Sequence, residues 1–124
     1  MTERNKFTPE QETWLKALES GQYAQGHDKL KLEMPAGGFM FCCLGLACEL
    51  GLATPDGDNH YLESNSLHMR DGRGGLAEAH KIDGVNFINV AHMNDRFMSF
   101  AQIAAFIRAN PHQVFTNFDV PAQP

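Results

Sequence analysis

Apolar and polar positions follow three different rhythms along the chain, and each rhythm predicts a different element. Over residues 9–20, Trp14, Leu15 and Leu18 fall on one side of a helical wheel while Glu10, Lys16 and Glu19 point away. Thr8 stands as an N-cap, Pro9 occupies the first helical position, Gln11 sits where a capping box needs it, and Gly21 can end the helix in a left-handed conformation. The run Lys29-Leu30-Lys31-Leu32-Glu33-Met34 then alternates with the period of a half-buried strand, Pro35-Ala36-Gly37-Gly38 makes a turn, and residues 39–42 form a second apolar run. This predicts a β-hairpin over residues 29–42, its first strand showing charges to water and its second, apolar on both faces, covered on both sides. From Cys43 to Leu52 the alternation gives way to a compact apolar segment, read as a short buried helix ending at Gly51, with Glu49 at its rim or paired. Gly45 inside that helix costs about 1 kcal/mol relative to Ala, which implies close packing against another backbone.

Beyond this point the pattern weakens before it returns. Residues 54–59 read as a turn, and the chain to Gly75 is polar and dotted with glycine, with short strands at Tyr61-Leu62 and at Leu67-His68-Met69. Residues 76–81 read as one or two helical turns and Asp83-Gly84 as a turn. The apolar positions between Val85 and Met93 fit strand or helix, and a helix over residues 86–93 is favoured. Ser99 then caps a clear helix with Gln102 in the capping-box position, Phe100, Ile103, Ala104 and Ile107 on one face, and Asn110-Pro111 as its stop. Val114, Phe115 and Phe118 anchor the tail, and the ends, about 1–6 and 119–124, are expected to be loose. The fold class predicted is α+β: one domain over residues 1–124, with a small antiparallel sheet built on the hairpin and packed by three or four short helices.

Composition narrows the function classes. With 124 residues, 43 % of them hydrophobic, the chain suits a single core. A net charge of −5 and a pI near 5.6 leave no electrostatic footprint for a nucleic-acid backbone or an anionic membrane. The longest apolar run, residues 39–53, contains Glu49 and is too short to cross a bilayer. All three cysteines lie in that run, their number is odd, and the N-terminal residues show no signal-peptide pattern, so a reducing cytoplasm is expected.

Taken together, Trp14-x-x-Ala17-Leu18-x-Ser20-Gly21-x-Tyr23-x-Gln25, Phe41-Cys42-Cys43-Leu44-Gly45-x-x-Cys48-Glu49-Leu50, Met93-Asn94-Asp95 and Ser99-Phe100-x-x-Ile103-Ala104-x-x-Ile107 resemble a family of small proteins encoded by tailed phages and prophages. The likeness covers roughly the first fifty residues and residues 93–107, and Met93 stands where that family more often shows Leu. It implies a viral accessory role in the host bacterial cytoplasm and no particular chemistry.

Candidate chemistry is sparse. Cys43 falls at a strand-to-helix junction, where a helix N-terminus favours the thiolate, and Cys43-Leu44-Gly45-Leu46 resembles the segment around the nucleophile of NlpC/P60-type peptidases. None of His60, His68, His80 or His92 is placed by spacing to activate it, so three buried, inert thiols are the simpler reading. For zinc there is no C-x-x-C pair, and Cys43 and Cys48 would diverge by about 140° around one helix. A dispersed set such as Cys42, His27 and His92 is the remaining metal option, and neither metal nor cofactor is expected.

Arg70-Asp71-Gly72-Arg73-Gly74-Gly75-Leu76 is the best phosphate-binding candidate, because glycines expose backbone N–H groups and Arg70 and Arg73 can pair with phosphate oxygens. Tyr23, Gln25, Asn94 and Asp95 are polar groups beside core anchors, suited to a ligand cleft or to a network tying loops to the hairpin. The favoured function is non-catalytic: a phage protein that counters host defence by binding a nucleotide-like or phosphorylated small ligand through Tyr23, Gln25, Arg70, Arg73, Asn94 and Asp95. Direct inhibition of a host defence protein is the alternative, and cysteine hydrolysis through Cys43 the second. Since pockets of this kind often form between subunits, a homo-oligomer is expected.

Overall fold

The computed structural model describes residues 4–26, 30–55, 62–69, 80–82, 85–87 and 98–119. Helix α1 spans Pro9–Ser20, followed by strands β1 (Ala24–Gln25), β2 (Lys31–Glu33) and β3 (Phe39–Phe41). Helix α2 (Cys43–Glu49) leads to β4 (Ala53–Pro55), β5 (Leu62–Asn65), β6 (His80–Ile82) and β7 (Val85–Phe87). Helix α3 (Phe100–Ala109) and a single 3-10 turn at Pro111–Gln113 complete the described elements. The architecture is α+β, as the sequence pattern predicts.

Both long helices begin where their sequence signals place them. Thr8 Oγ1 accepts from Gln11 N at 3.1 Å while Gln11 Oε1 accepts from Thr8 N at 2.9 Å. Ser99 and Gln102 repeat the reciprocal pair at 3.1 and 2.9 Å, so two backbone donors are satisfied at each helix start. Gly21 ends α1 with φ 73°. Helix α2 is shorter than the predicted 43–52: Leu50 is its C-cap, and Gly51 follows with φ 77°.

The central sheet has the order β1-β3-β2. Strands β2 and β3 form the predicted hairpin, with Lys31, Leu32 and Glu33 opposite Phe41, Met40 and Phe39. The sheet is mixed, not wholly antiparallel, because β1 runs parallel to β3 on its other edge, with Ala24 opposite Met40 and Gln25 opposite Phe41. Two residues carry no readable period, which is why a strand there escapes sequence analysis. Strand β3 is covered towards its end and not along its length: Phe41 is buried, Phe39 on the same face is 46 % exposed, and Met40 on the opposite face is half-buried. Its apolar residues are therefore not all core residues, contrary to expectation.

The middle of the chain departs further from prediction. β4 pairs antiparallel with β5, with a register shift between Thr54 and Pro55, so the predicted turn at 54–59 starts inside a strand. β6 pairs antiparallel with β7, His80 opposite Phe87 and Ile82 opposite Val85. The start of the helix favoured over residues 86–93 is thus a strand, as is the end of the helical turns predicted at 76–81. Val85-Asn86-Phe87 has an alternation that fits both periods, and cross-strand pairing decides it. Residues 76–79 and 88–93 lie outside the described residues.

The core joins Trp14, Leu15 and Leu18 of α1, Cys43, Leu44, Leu46 and Ala47 of α2, Phe100, Ile103, Ala104 and Ile107 of α3, and Val114, Phe115 and Phe118 beyond it. Trp14 is fully buried, and its indole N–H donates to the Cys43 carbonyl at 2.9 Å, so the core anchor also ties α1 to the first residue of α2. Gly45 explains itself: a Cβ there would lie 1.6 Å from the Leu30 carbonyl oxygen. Helix α2 lies against the chain leading into β2 so closely that no side chain fits. Cys42 joins the same contact, donating its N–H to Leu30 O at 3.3 Å while its thiol accepts from Gly45 N at 3.4 Å as the helix N-cap.

Two polar devices hold the helices and ends in place. Arg108 on α3 pairs with both carboxylates on α1 that face it: Nη1 and Nη2 donate to Glu12 at 2.8 and 3.2 Å, and Nε and Nη2 to Glu19 at 2.7 and 3.0 Å. The Arg108 hydrogen bonds hold the Glu12 carboxyl below its ordinary value near 4.5, and both partners raise the Arg108 guanidinium further above neutrality. Residues 4–6 and 116–119, the described residues nearest the two ends, are joined by hydrogen bonds. Asn5 N donates to Asn117 O at 2.7 Å, Asn5 Nδ2 to Asp119 Oδ2 at 3.0 Å, and Arg4 pairs with Asp119.

Two outcomes follow from this packing. Gly45→Ala must force α2 and Leu30 apart, and is expected to lose about 3 kcal/mol or more in denaturant-melt stability, where an exposed helical Gly→Ala change would gain stability. Arg108→Met is expected to cost about 1–2 kcal/mol at neutral pH. Because Glu12 is lowered in the folded state, the clamp's contribution is present above the ordinary carboxylate value and is lost as pH falls through the lowered one. Denaturant melts across that acid range should show the gap between wild type and Arg108→Met closing as pH drops.

Candidate functional site

Of the residues proposed from sequence, the described part of the structure contains Cys43, Tyr23 and Gln25. Cys43 is the first residue of α2 and is 0 % exposed, packed in the core rather than on a cleft. Cys42 is buried beside it, and none of the three cysteines forms a disulfide. Cys48 is half-buried at the far end of α2, and burial, reinforced by Cys42, pushes its thiol up to about 11. A helix start that should favour a thiolate therefore presents its cysteine inward, because the Trp14 hydrogen bond and the Leu30 contact dictate which side of α2 faces the core. Among the described residues no group of His, Cys, Asp and Glu is disposed to hold a metal ion.

Tyr23 and Gln25 stand together at the edge of the central sheet, each half-buried. The Tyr23 ring meets Phe41 edge-on, with centroids 6.4 Å apart. Gln25 uses both ends of its amide on the start of α3: Nε2 donates to Met98 O at 2.7 Å, and Oε1 accepts from Phe100 N at 3.0 Å. This side chain ties β1 to the N-terminal turn of α3, where backbone donors have no helical partner. Both ends of the amide are thus engaged in a network between the sheet and the helix start. Asn94 and Asp95 precede that junction in sequence and lie outside the described residues, as do Arg70 and Arg73. Tyr23 and Gln25 are thus the two proposed ligand residues whose neighbourhood is known.

The approach to Arg70 is defined up to the preceding residue. Met69 bridges Phe115 in antiparallel fashion, and the His68 carbonyl accepts from Thr116 N at 2.7 Å and from Thr116 Oγ1 at 3.1 Å. His68 adopts φ 58°, a left-handed conformation that few non-glycine residues take. Met69, the residue before Arg70, is therefore held in a pinned position.

Beneath this lies a buried polar pair that the sequence only half reveals. Gln11, 0 % exposed, donates from Nε2 to Leu67 O and to Asn117 Oδ1, both at 2.8 Å, while Asn117 Nδ2 donates to Lys6 O at 2.8 Å. The capping box accounts for one end of Gln11, and the other end reaches segments far away in sequence. One amide pair thus fixes the start of α1, the segment before Met69 and the C-terminal segment relative to one another.

The cysteine geometry has a measurable consequence. Intact-mass analysis after treatment of the native protein with iodoacetamide near neutral pH should show slow modification, led by half-buried Cys48, with Cys43 unmodified. Full labelling of all three should appear only in denaturant.

Comparison with known proteins adds a family and nothing closer. No curated protein and no solved structure matches the chain. A family model described as a domain of unknown function, DUF8296, matches residues 8–70, more than half of the chain and the whole stretch from the α1 cap through α2 to Arg70. The chain belongs to this DUF8296 family.

Proposed function

We propose that the chain is a non-catalytic phage accessory protein that counters a host defence by binding, with a nucleotide-like or phosphorylated small ligand as the favoured occupant. The observation that carries this reading is the burial of Cys43 in the core, which withdraws the sequence's leading nucleophile from any substrate. Binding then falls to the polar side chains that the sequence offers beside the core anchors. Arg70 and Arg73 supply the anion-pairing groups, and Arg70 follows directly on the pinned Met69. Tyr23 offers an aromatic surface at the sheet edge. Gln25 contributes by position, holding the start of α3, and with it the chain that follows Asn94 and Asp95, against β1. A second reading, direct binding to a host defence protein, draws on Phe39, a large apolar side chain left 46 % exposed.

Thermal unfolding against a panel of cyclic and linear nucleotides tests the choice. A true ligand at one hundred times its Kd adds about 2.7 kcal/mol of stability, a rise in Tm of several degrees, and the rise should vanish in the Arg70→Ala, Arg73→Ala double variant. If no nucleotide shifts the melt, the small-ligand reading fails. Capture of a host protein that survives the double arginine change but not Phe39→Ser would favour the second reading.

A further inference from the structure

Strand β2 is an edge whose charge pattern matches itself. In the order β1-β3-β2 it bonds to β3 on one side alone, and among the described residues no strand lies along the other. The hairpin's hydrogen bonds fix which backbone groups face outward. Cys42 N donates to Leu30 O, and Met34 N to Gly38 O, so the pairs 30 with 42 and 34 with 38 are hydrogen-bonded. With the observed register, the alternation of an antiparallel ladder makes Leu32 with Met40 the next such pair. The N–H and C=O groups of Lys31 and Glu33 therefore point away from β3, and both residues are exposed.

We infer that β2 is a homodimerisation edge, pairing antiparallel with β2 of a second copy about a two-fold axis through Leu32. Charge complementarity selects this partner. In that register Lys31 faces Glu33 of the other copy, and Glu33 faces its Lys31, so two opposite-charge pairs form on one face of the joined sheet. Outward backbone groups at both positions meet their counterparts at the same time, which satisfies the edge. A parallel arrangement in the same register would instead set Lys31 against Lys31 and Glu33 against Glu33, so the alternation of sign specifies direction as well as partner. Leu32 meets Leu32 as a non-hydrogen-bonded pair, with Cα atoms about 4.5 Å apart, on the opposite face beside Met40. The two central sheets become one continuous sheet. This surface is the edge of the central sheet opposite β1, which carries Gln25, and its test reads self-association and not ligand binding.

The chain of residues 1–124 is suited to analytical ultracentrifugation over micromolar to millimolar concentrations. Wild type should show a reversible monomer–dimer equilibrium. Lys31→Glu and Glu33→Lys should each weaken it at least about tenfold, since each sets like charges opposite one another twice per dimer. The double variant Lys31→Glu, Glu33→Lys should restore the dimer, an outcome that lost folding cannot mimic. Lys31 also lies 3.8 Å from Glu49 in its own chain, so circular dichroism must confirm that each variant is folded. A second probe needs no charge change: Leu32→Cys, in a Cys48→Ser background, should form an intermolecular disulfide on mild oxidation, because only self-pairing about Leu32 brings this residue to its own copy within bridging range. A wild-type monomer at every concentration, a dimer indifferent to both single reversals, or a Leu32→Cys chain that does not cross-link would each overturn the inference.

Discussion

The contact between Gly45 and the Leu30 carbonyl is the constraint on which the rest of this structure depends. With no room for even a methyl group, α2 can lie against the chain entering β2 in only one rotation and at one depth. That rotation turns Cys43, Leu44, Leu46 and Ala47 inward and leaves Glu49 outward, where Lys31 pairs with it at 3.8 Å. It presents the Cys43 carbonyl to Trp14, which carries α1 into the core. It also brings Cys42 N to Leu30 O, extending the hairpin ladder to the first turn of the helix. One backbone approach thus sets the hairpin, the buried helix and the docking of α1 together.

Around this contact, side-chain amides do the work that longer secondary structure does elsewhere. The strands are two to four residues long, too short for ladders alone to position loops. Gln25 ties β1 to α3, and the Gln11–Asn117 pair ties the start of α1 to Leu67 and the C-terminal segment. Buried amides are costly when unsatisfied, so each such tie is specific: moving either partner strands a donor or acceptor in the core. The aromatic cluster of Phe7, Trp14, Phe115 and Phe118 supplies the apolar filling around the second tie.

What could be read from sequence was what local chemistry determines. Two capping boxes, the hairpin turn and the Gly21 stop follow from residues a few positions apart, the close approach at Gly45 follows from a glycine inside a helix, and all are present. The parallel strand β1 was not legible, because two residues have no period and their partner is a later strand. The stretch at Val85-Asn86-Phe87 was ambiguous for the same reason: pairing with His80–Ile82, not local propensity, made it a strand. At the candidate site, the nearness of Tyr23 and Gln25 to core anchors was visible. The use of Gln25's amide was not, since Met98 and Phe100 lie 73 and 75 positions away.

The cysteines show how the same residues carry two opposite meanings until packing is known. A thiol at a helix start is activated only when it keeps access to water, because the dipole then stabilises an anion that solvent also supports. At Cys43 the tight seat of α2 removes that access, and at Cys48, near the other end of the helix, burial and the nearby Cys42 both drive the thiol towards its neutral form. Cys42 spends its sulfur as the N-cap acceptor. The constraint that makes α2 the centre of the core is therefore the one that turns its thiols from reagents into packing. The proposed roles are accordingly assigned away from the thiols, to the residues that follow the pinned Met69 and to the outward edge of β2.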